Sequence, residues 1–283
     1  MASITLSDSI RTASMNAVSN QLGSGQDFTI CGRYSNGYYI SVMDGHGGNK
    51  CIETLRTFDF NAIAESVDPS LKIFELLAEQ KLNLFRSGST FTFVKICITD
   101  IITIQTFNVG DSGTIVFVNG EIVHETIAHC LSNVSERARL VPYLQHPNPI
   151  TPAWAPRPVS ETKMSVVRSD TCNFKTFESL VPSQSLGHNN MTGYVPDVHL
   201  VYCNLSDHVR VVSGSDGLWD MIMKDIDLEH LKTMSAEDLL SKAENRWKQD
   251  WEYSSNSNDL NNFVVTNFAG SYDDVSVAIW ENV

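Results

Sequence analysis

Five aspartates in this 283-residue chain stand beside small residues where strands end or turns begin. They are Asp27 in Gly25-Gln26-Asp27-Phe28, Asp44 in Met43-Asp44-Gly45-His46-Gly47-Gly48, Asp111 in Val109-Gly110-Asp111-Ser112, Asp216 in Ser215-Asp216-Gly217-Leu218-Trp219, and Asp273 in Tyr272-Asp273-Asp274. Any one of them alone reads as ordinary turn chemistry. Converging carboxylates repel one another and hold their protons unless a cation sits between them, so the set points to a divalent ion. Oxygen donors with no convergent Cys or His set favour Mg²⁺ or Mn²⁺ over Zn²⁺. The commonest chemistry of a carboxylate-held metal pair is to activate a water and stabilise an in-line phosphoryl displacement. Glycines beside the ligands let backbone carbonyls and phosphate oxygens approach closely.

The elements that must position these residues are mostly short β-type runs. Residues 38–43, 90–98, 101–107, 114–118, 209–213 and 275–280 are rich in β-branched or aromatic side chains, with hairpin punctuation at Thr99-Asp100 and Asn119-Gly120. Asp44 directly follows one such run and Asp216 stands three residues past another, at strand ends where loops on a rigid scaffold carry function. Two one-sided helices are expected. One starts at Asp68-Pro69 and aligns Leu71, Phe74, Leu77, Ala78, Leu82 and Phe85; the other starts at Ser235 and aligns Leu239, Leu240, Ala243, Trp247 and Trp251. Strands and helices do not alternate as βαβ units would, which implies α+β layers built on packed antiparallel sheets. Six of the nine prolines fall in 141–158, which reads as an irregular loop or flap within one domain rather than a linker.

Composition narrows the function classes. A formal charge of −13 repels a nucleic-acid backbone, so no nucleic-acid partner is expected. With 42% hydrophobic and 19% charged residues the chain has material for a substantial core, and it has no apolar run long enough to span a membrane. Residues 1–25 lack the continuous apolar stretch of a secretory signal, and the six cysteines are scattered with no CxxC, so reduced thiols in the cytoplasm or nucleus are expected.

The order Gln26-Asp27, Val42-Met-Asp-Gly-His-Gly-Gly48, Gly88-Ser-Thr90, Asn108-Val-Gly-Asp-Ser112, Pro196-Asp197, Ser215-Asp-Gly-Leu-Trp-Asp220 and Asp273-Asp-Val-Ser276 resembles the metal-dependent serine/threonine protein phosphatases of the PP2C family. The resemblance spans residues 26 to 280 with the motifs in family order. It implies a single catalytic domain over residues 1–283, a four-layer α+β sandwich with two central antiparallel β-sheets flanked by α-helices. It also implies two Mn²⁺ or Mg²⁺ ions in a core site, a weaker third ion, and hydrolysis of phosphoserine or phosphothreonine in a phosphoprotein by a monomeric enzyme. Position by position, Asp44 would bridge the two ions, the Gly45 carbonyl would bind one of them, and Asp216 and Asp273 would hold the other. Asp27 would stand beside the metals and their waters, His46 would protonate the leaving oxygen, and Asp111 with Asp216 would support the third ion. Gly88-Ser-Thr90 would be structural.

The chain also departs from the family pattern. Leu22 stands where the family presents an arginine to the substrate phosphate, five residues before Asp27. Gly113, Ala128, His188 and Asp274 replace the usual Arg, Asp, Asp and Asn of four other motifs. A missing guanidinium predicts weak phosphate binding and a high KM unless Arg11 or Arg33 folds back into the site. The alternative reading is a catalytically weak or inactive relative that binds phosphoproteins or regulates a partner. A histidine-rich two-metal nuclease or phosphoesterase fits poorly, because motifs such as Gly-Asn-His-Glu are absent.

Overall fold

The computed structural model describes residues 13–140, 150–158, 163–173, 179–254, 264–266 and 272–282. Two antiparallel sheets form its centre. The first runs Ala13–Asn20, Val275–Asn282, Val209–Gly214, Gly113–Val118, Glu121–Glu125. The second runs Leu186–Gly187, Gly88–Ser89, Gly37–His46, Phe91–Ile98, Ile102–Val109, Asp197–Cys203, with Asp27–Tyr34 also paired to Gly37–His46.

Alternation along the strands explains the layering. Ile40, Val42, Val94 and Ile96 of one sheet face Val116, Val209, Val211 and Trp280 of the other and form the inner core. Their neighbours Tyr39, Met43, Phe91 and Phe93 face outward, onto the helices Lys50–Leu55, Phe60–Glu65 and Pro69–Glu79. On the far side Val212, Val275, Val277 and Ile279 pack against Asp216–Trp219, Lys224–Thr233 and Ala236–Lys248. Strands buried on both faces read as continuous apolar runs, which is why they were visible in the sequence. The expected four layers, helix, sheet, sheet and helix, are therefore present.

Both expected helices form, each with its expected cap. Asp68 accepts from the Leu71 N–H at 3.0 Å with Pro69 in the first turn, and Ser235 accepts from the Asp238 N–H at 3.1 Å. Each is shorter than its apolar pattern suggested. The first ends at Glu79, so Leu82 and Phe85 lie beyond it; Ile73 and Leu77 face the core and Leu71 faces solvent. The second ends at Lys248, and Trp251 begins the strand Trp251–Ser254. At the Asn119-Gly120 hairpin both residues take positive φ, +53° and +83°, as a tight turn between twisted strands requires.

A third sheet was not expected. It contains Ser179–Leu180, Lys163–Asn173, Trp251–Ser254 and Val264–Thr266, and Ile150–Pro158 pairs antiparallel with Lys163–Asn173. The proline-rich stretch is thus a strand in its second half rather than an irregular loop, and residues 141–149 lie outside the described residues. Its prolines are tolerated because the strand has one partner among the described residues and needs N–H donors on one side only. No helix among the described residues is long and apolar enough to cross a membrane.

Candidate metal centre

All five aspartates reach one end of the sandwich, each delivered by a strand end. Asp44 lies near the C-terminal end of Gly37–His46, and Asp27 opens Asp27–Tyr34 directly opposite it in register. Asp111 occupies the turn between Ile102–Val109 and Gly113–Val118, Asp216 follows Val209–Gly214 as the first residue of Asp216–Trp219, and Asp273 precedes Val275–Asn282. Carboxylate oxygens of Asp44, Asp111 and Asp216 lie within 4.8 Å of one another. Asp44, Asp111, Asp216 and Asp273 line one cavity of about 540 Å³ together with Gly45 and His46.

The backbone holds this floor in place. The Asp44 N–H donates to Thr90 Oγ1 at 2.9 Å and the Asp44 carbonyl accepts from the Thr90 N–H at 2.8 Å. Thr90 Oγ1 in turn bonds Ser112 Oγ at 2.7 Å, which ties the Asp44 strand to the Asp111 turn. Gly45 donates to the Gln26 carbonyl at 3.1 Å, and a Cβ at Gly45 would lie 2.7 Å from that oxygen, so only glycine fits. Buried His129 accepts from the Gly110 N–H through Nδ1 at 3.1 Å and reaches the Asp197 carboxylate through Nε2 at 3.1 Å. His129 and Asp197 therefore support the turn that carries Asp111.

The electrostatics match an all-oxygen cation site. Burial pushes the Asp27 carboxyl up to about 7; Ser276 and Ser215 pull the other way, and Asp216 adds to the rise. Burial, with Asp216 and Asp27 beside it, raises Asp273 to about 8, and burial with Asp216, Asp27 and Asp273 raises Asp44 well above the carboxylate range. Asp216 is the charge common to all three. Asp27 Oδ2 and Asp216 Oδ1 are buried with no hydrogen-bond partner. Buried acceptors left unpaired cost stability, and a divalent cation is the partner that would satisfy several at once. The residues fit Mg²⁺ or Mn²⁺ on donor chemistry.

His46 lines the same cavity with its ring stacked on His188, centroids 5.0 Å apart. Burial first, and His188 second, depress its pKa to about 3. Imidazole is therefore its form at neutral pH.

By sequence alone the chain matches no family model and no curated protein. By structure it is similar to a serine/threonine phosphatase 2C from Toxoplasma gondii, at 14% identity over 94% of each chain with a TM-score of 0.60. It is also similar to the serine/threonine phosphatase PstP of Mycobacterium tuberculosis, at 16% identity over 95% of this chain and 98% of that one with a TM-score of 0.53. The chain has the PP2C fold. A third similar structure with this fold is a C. elegans sex-determining protein, at 18% identity and a TM-score of 0.54; the match takes in 96% of this chain and 65% of that one.

Against the PP2C pattern, two of the departures noted in the sequence take structural roles, Leu22 by packing and Asp274 by hydrogen bonding. Leu22 is half-buried against the apolar cluster over the outer face of the first sheet and does not line the cavity. Arg33 stacks over the Tyr38 ring at 5.2 Å, six residues along the strand from Asp27, so it does not fold back to the site. Arg11 lies outside the described residues. Asp274 accepts from the Gly23 and Gln26 N–H groups at 2.6 and 2.8 Å and from Ser24 Oγ at 3.1 Å, so it anchors the loop before Asp27. Sequence reasoning missed that role, for which the Asp273-Asp274 doublet was the only signal. It also passed over Arg86, which lines the cavity and stands just before the Gly88-Ser-Thr90 motif.

Proposed function

We propose that the chain is a divalent-metal-dependent protein serine/threonine phosphatase, with residues 26–280 acting as one catalytic unit. The observation that supports this most is the convergence of the Asp44, Asp111 and Asp216 carboxylates within 4.8 Å on the floor of an open cavity. Asp44, Asp216 and Asp273 would hold two ions with the Gly45 carbonyl, Asp27 would stand beside them, and Asp111 with Asp216 would complete a weaker third position. One of the similar structures, the catalytic domain of PstP, is described in complex with two manganese ions, which favours Mn²⁺ as the first metal to test. Bound there, the ions supply Lewis acidity that activates a water and neutralises charge on the phosphoryl group.

The chain's own residues do the rest. Thr90 and Ser112 keep the Asp44 and Asp111 segments at fixed separation, which limits the reorganisation that charge development would otherwise demand. His46, which lines the same cavity, would supply a proton to the departing serine or threonine oxygen. Burial and His188 hold its pKa well below the usual imidazole range, so the protonated form is scarce at pH 7 and protonation would limit turnover of poor leaving groups. The uncharged Leu22, half-buried against the apolar cluster, favours the second reading, a weak or inactive relative. Release of phosphate from a phosphothreonine peptide, measured with Mn²⁺ and again in EDTA, separates the two. Metal-dependent release supports the phosphatase, and none under either condition supports the inactive relative.

A further inference from the structure

Substrate phosphate approaches a cavity whose floor is acidic, so it needs cationic partners beyond any bound ions. Leu22 supplies none. Among the other cations near this end, Arg56 donates to the Asp27 carbonyl at 2.9 Å and Lys50 to the Asn83 carbonyl at 3.3 Å. Neither lines the cavity, whereas Arg86 does and is the one Lys or Arg among the described residues that line it.

The backbone at Arg86 is closely packed on the site wall. Gly47, at φ +81°, lies so close to the Arg86 carbonyl that a Cβ would come within 2.4 Å of it, and at Gly48 the same distance would be 3.2 Å. Gly47 and Gly48 are thus packed on the backbone carbonyl of Arg86. The next residue, Ser87, donates its hydroxyl to the Gly48 carbonyl, accepts from the Cys51 N–H at 2.8 Å and offers its carbonyl to the His188 N–H at 3.0 Å. Three segments of the site wall therefore meet at residues 86 and 87. The Arg86 side chain is exposed at the rim while its backbone is fixed. From that fixed backbone a guanidinium can make a bidentate contact with a phosphate dianion.

Resting on the phosphatase reading, we propose that Arg86 is the phosphate clamp of this site and replaces the arginine that position 22 lacks. It would grip the phosphomonoester from the rim, opposite the carboxylate floor. The test uses the Mn²⁺-loaded full chain and its Arg86→Ala and Arg86→Lys variants. Two quantities are read: KM for a phosphothreonine peptide, and the calorimetric Kd of inorganic phosphate. In Arg86→Ala both should rise by about tenfold or more, with kcat within about threefold of wild type and Mn²⁺ affinity unchanged. Arg86→Lys should fall between, because an ammonium cannot make the paired contact. Arg33→Ala should leave both quantities as they were. Values within about twofold of wild type in Arg86→Ala overturn the clamp, and so does a parallel loss of Mn²⁺ binding, which would make Arg86 a structural residue. If the wild-type chain hydrolyses nothing, the phosphatase reading falls and phosphate binding alone decides: weaker binding in Arg86→Ala supports the clamp, while equal binding, or none by wild type, overturns it.

Discussion

Asp44 shows how much of the site is electrostatic. Its carboxyl is raised by burial and by Asp216, Asp27 and Asp273, and Asp27 and Asp273 are themselves lifted to about 7 and about 8. A carboxyl whose folded pKa exceeds its unfolded value binds more protons when folded, so it stabilises the fold at low pH and loses that contribution as pH rises. For Asp27 and Asp273 the loss runs from about pH 4 to about pH 8. Metal-free protein should therefore melt at a lower temperature at pH 8 than at pH 5.5, and Mn²⁺ should reverse the difference while releasing protons, readable by calorimetry in buffers of different ionisation enthalpy. Equal melting temperatures and no proton release would contradict the coupled carboxylates. His46 carries the opposite sign. If it is the acid and its pKa is near 3, the rate on an alkyl phosphate relative to an aryl phosphate should keep rising about tenfold per pH unit as pH falls from 8 to 5.5. A plateau below pH 6.5, or a ratio untouched by His46→Gln, would remove it from that role.

The helix Ala236–Lys248 reaches the site through what it packs against. Trp247 Nε1 donates to the Gly217 carbonyl at 2.9 Å, next to Asp216, and buried Arg246 pairs with buried Asp227 through two contacts of 2.6 and 3.0 Å. Without Arg246 the buried Asp227 keeps the Met223 N–H at 2.8 Å, His230 at 3.2 Å and Lys242 at 3.5 Å, so Arg246→Ala should cost about 1.5 to 3 kcal/mol in denaturant unfolding, the worth of charge-assisted hydrogen bonds. A loss below about 1 kcal/mol would show that the pair is not held in the buried geometry. Legibility in the sequence followed the same division. Central strands such as 38–43 and 275–280, and capped helices, stood out because burial on both faces or a side-chain cap leaves a local pattern. The strand Ala13–Asn20 did not: its residues are small or polar, and its place is set by pairing along its whole length with Val275–Asn282. Ile150–Pro158 was hidden by prolines that an edge strand tolerates. In the site, the aspartates were legible as turn motifs, whereas the roles of Asp274, His188 and Arg86 depend on contacts between segments far apart in the chain.

For the whole molecule, a charge of −13 sets the field through which substrate approaches. Phosphopeptides with flanking lysines should show a lower KM than those with flanking glutamates, and the gap should shrink as salt is raised through 0.5 M, where the Debye length is only about 4 Å. A gap that ignores salt would place the preference in short-range contacts instead. The layered fold carries five aspartates to one end of the sandwich, where they would hold divalent ions for phosphate ester hydrolysis. The most direct measurement is the rate of phosphate release from a phosphothreonine peptide as Mn²⁺ is titrated into chelator-stripped protein, with Asp44→Ala alongside. The rate should rise from the background with Mn²⁺ in the wild-type chain and stay at the background in Asp44→Ala. Equal turnover in EDTA, or an Asp44→Ala variant as fast as wild type, would contradict that role for the aspartates.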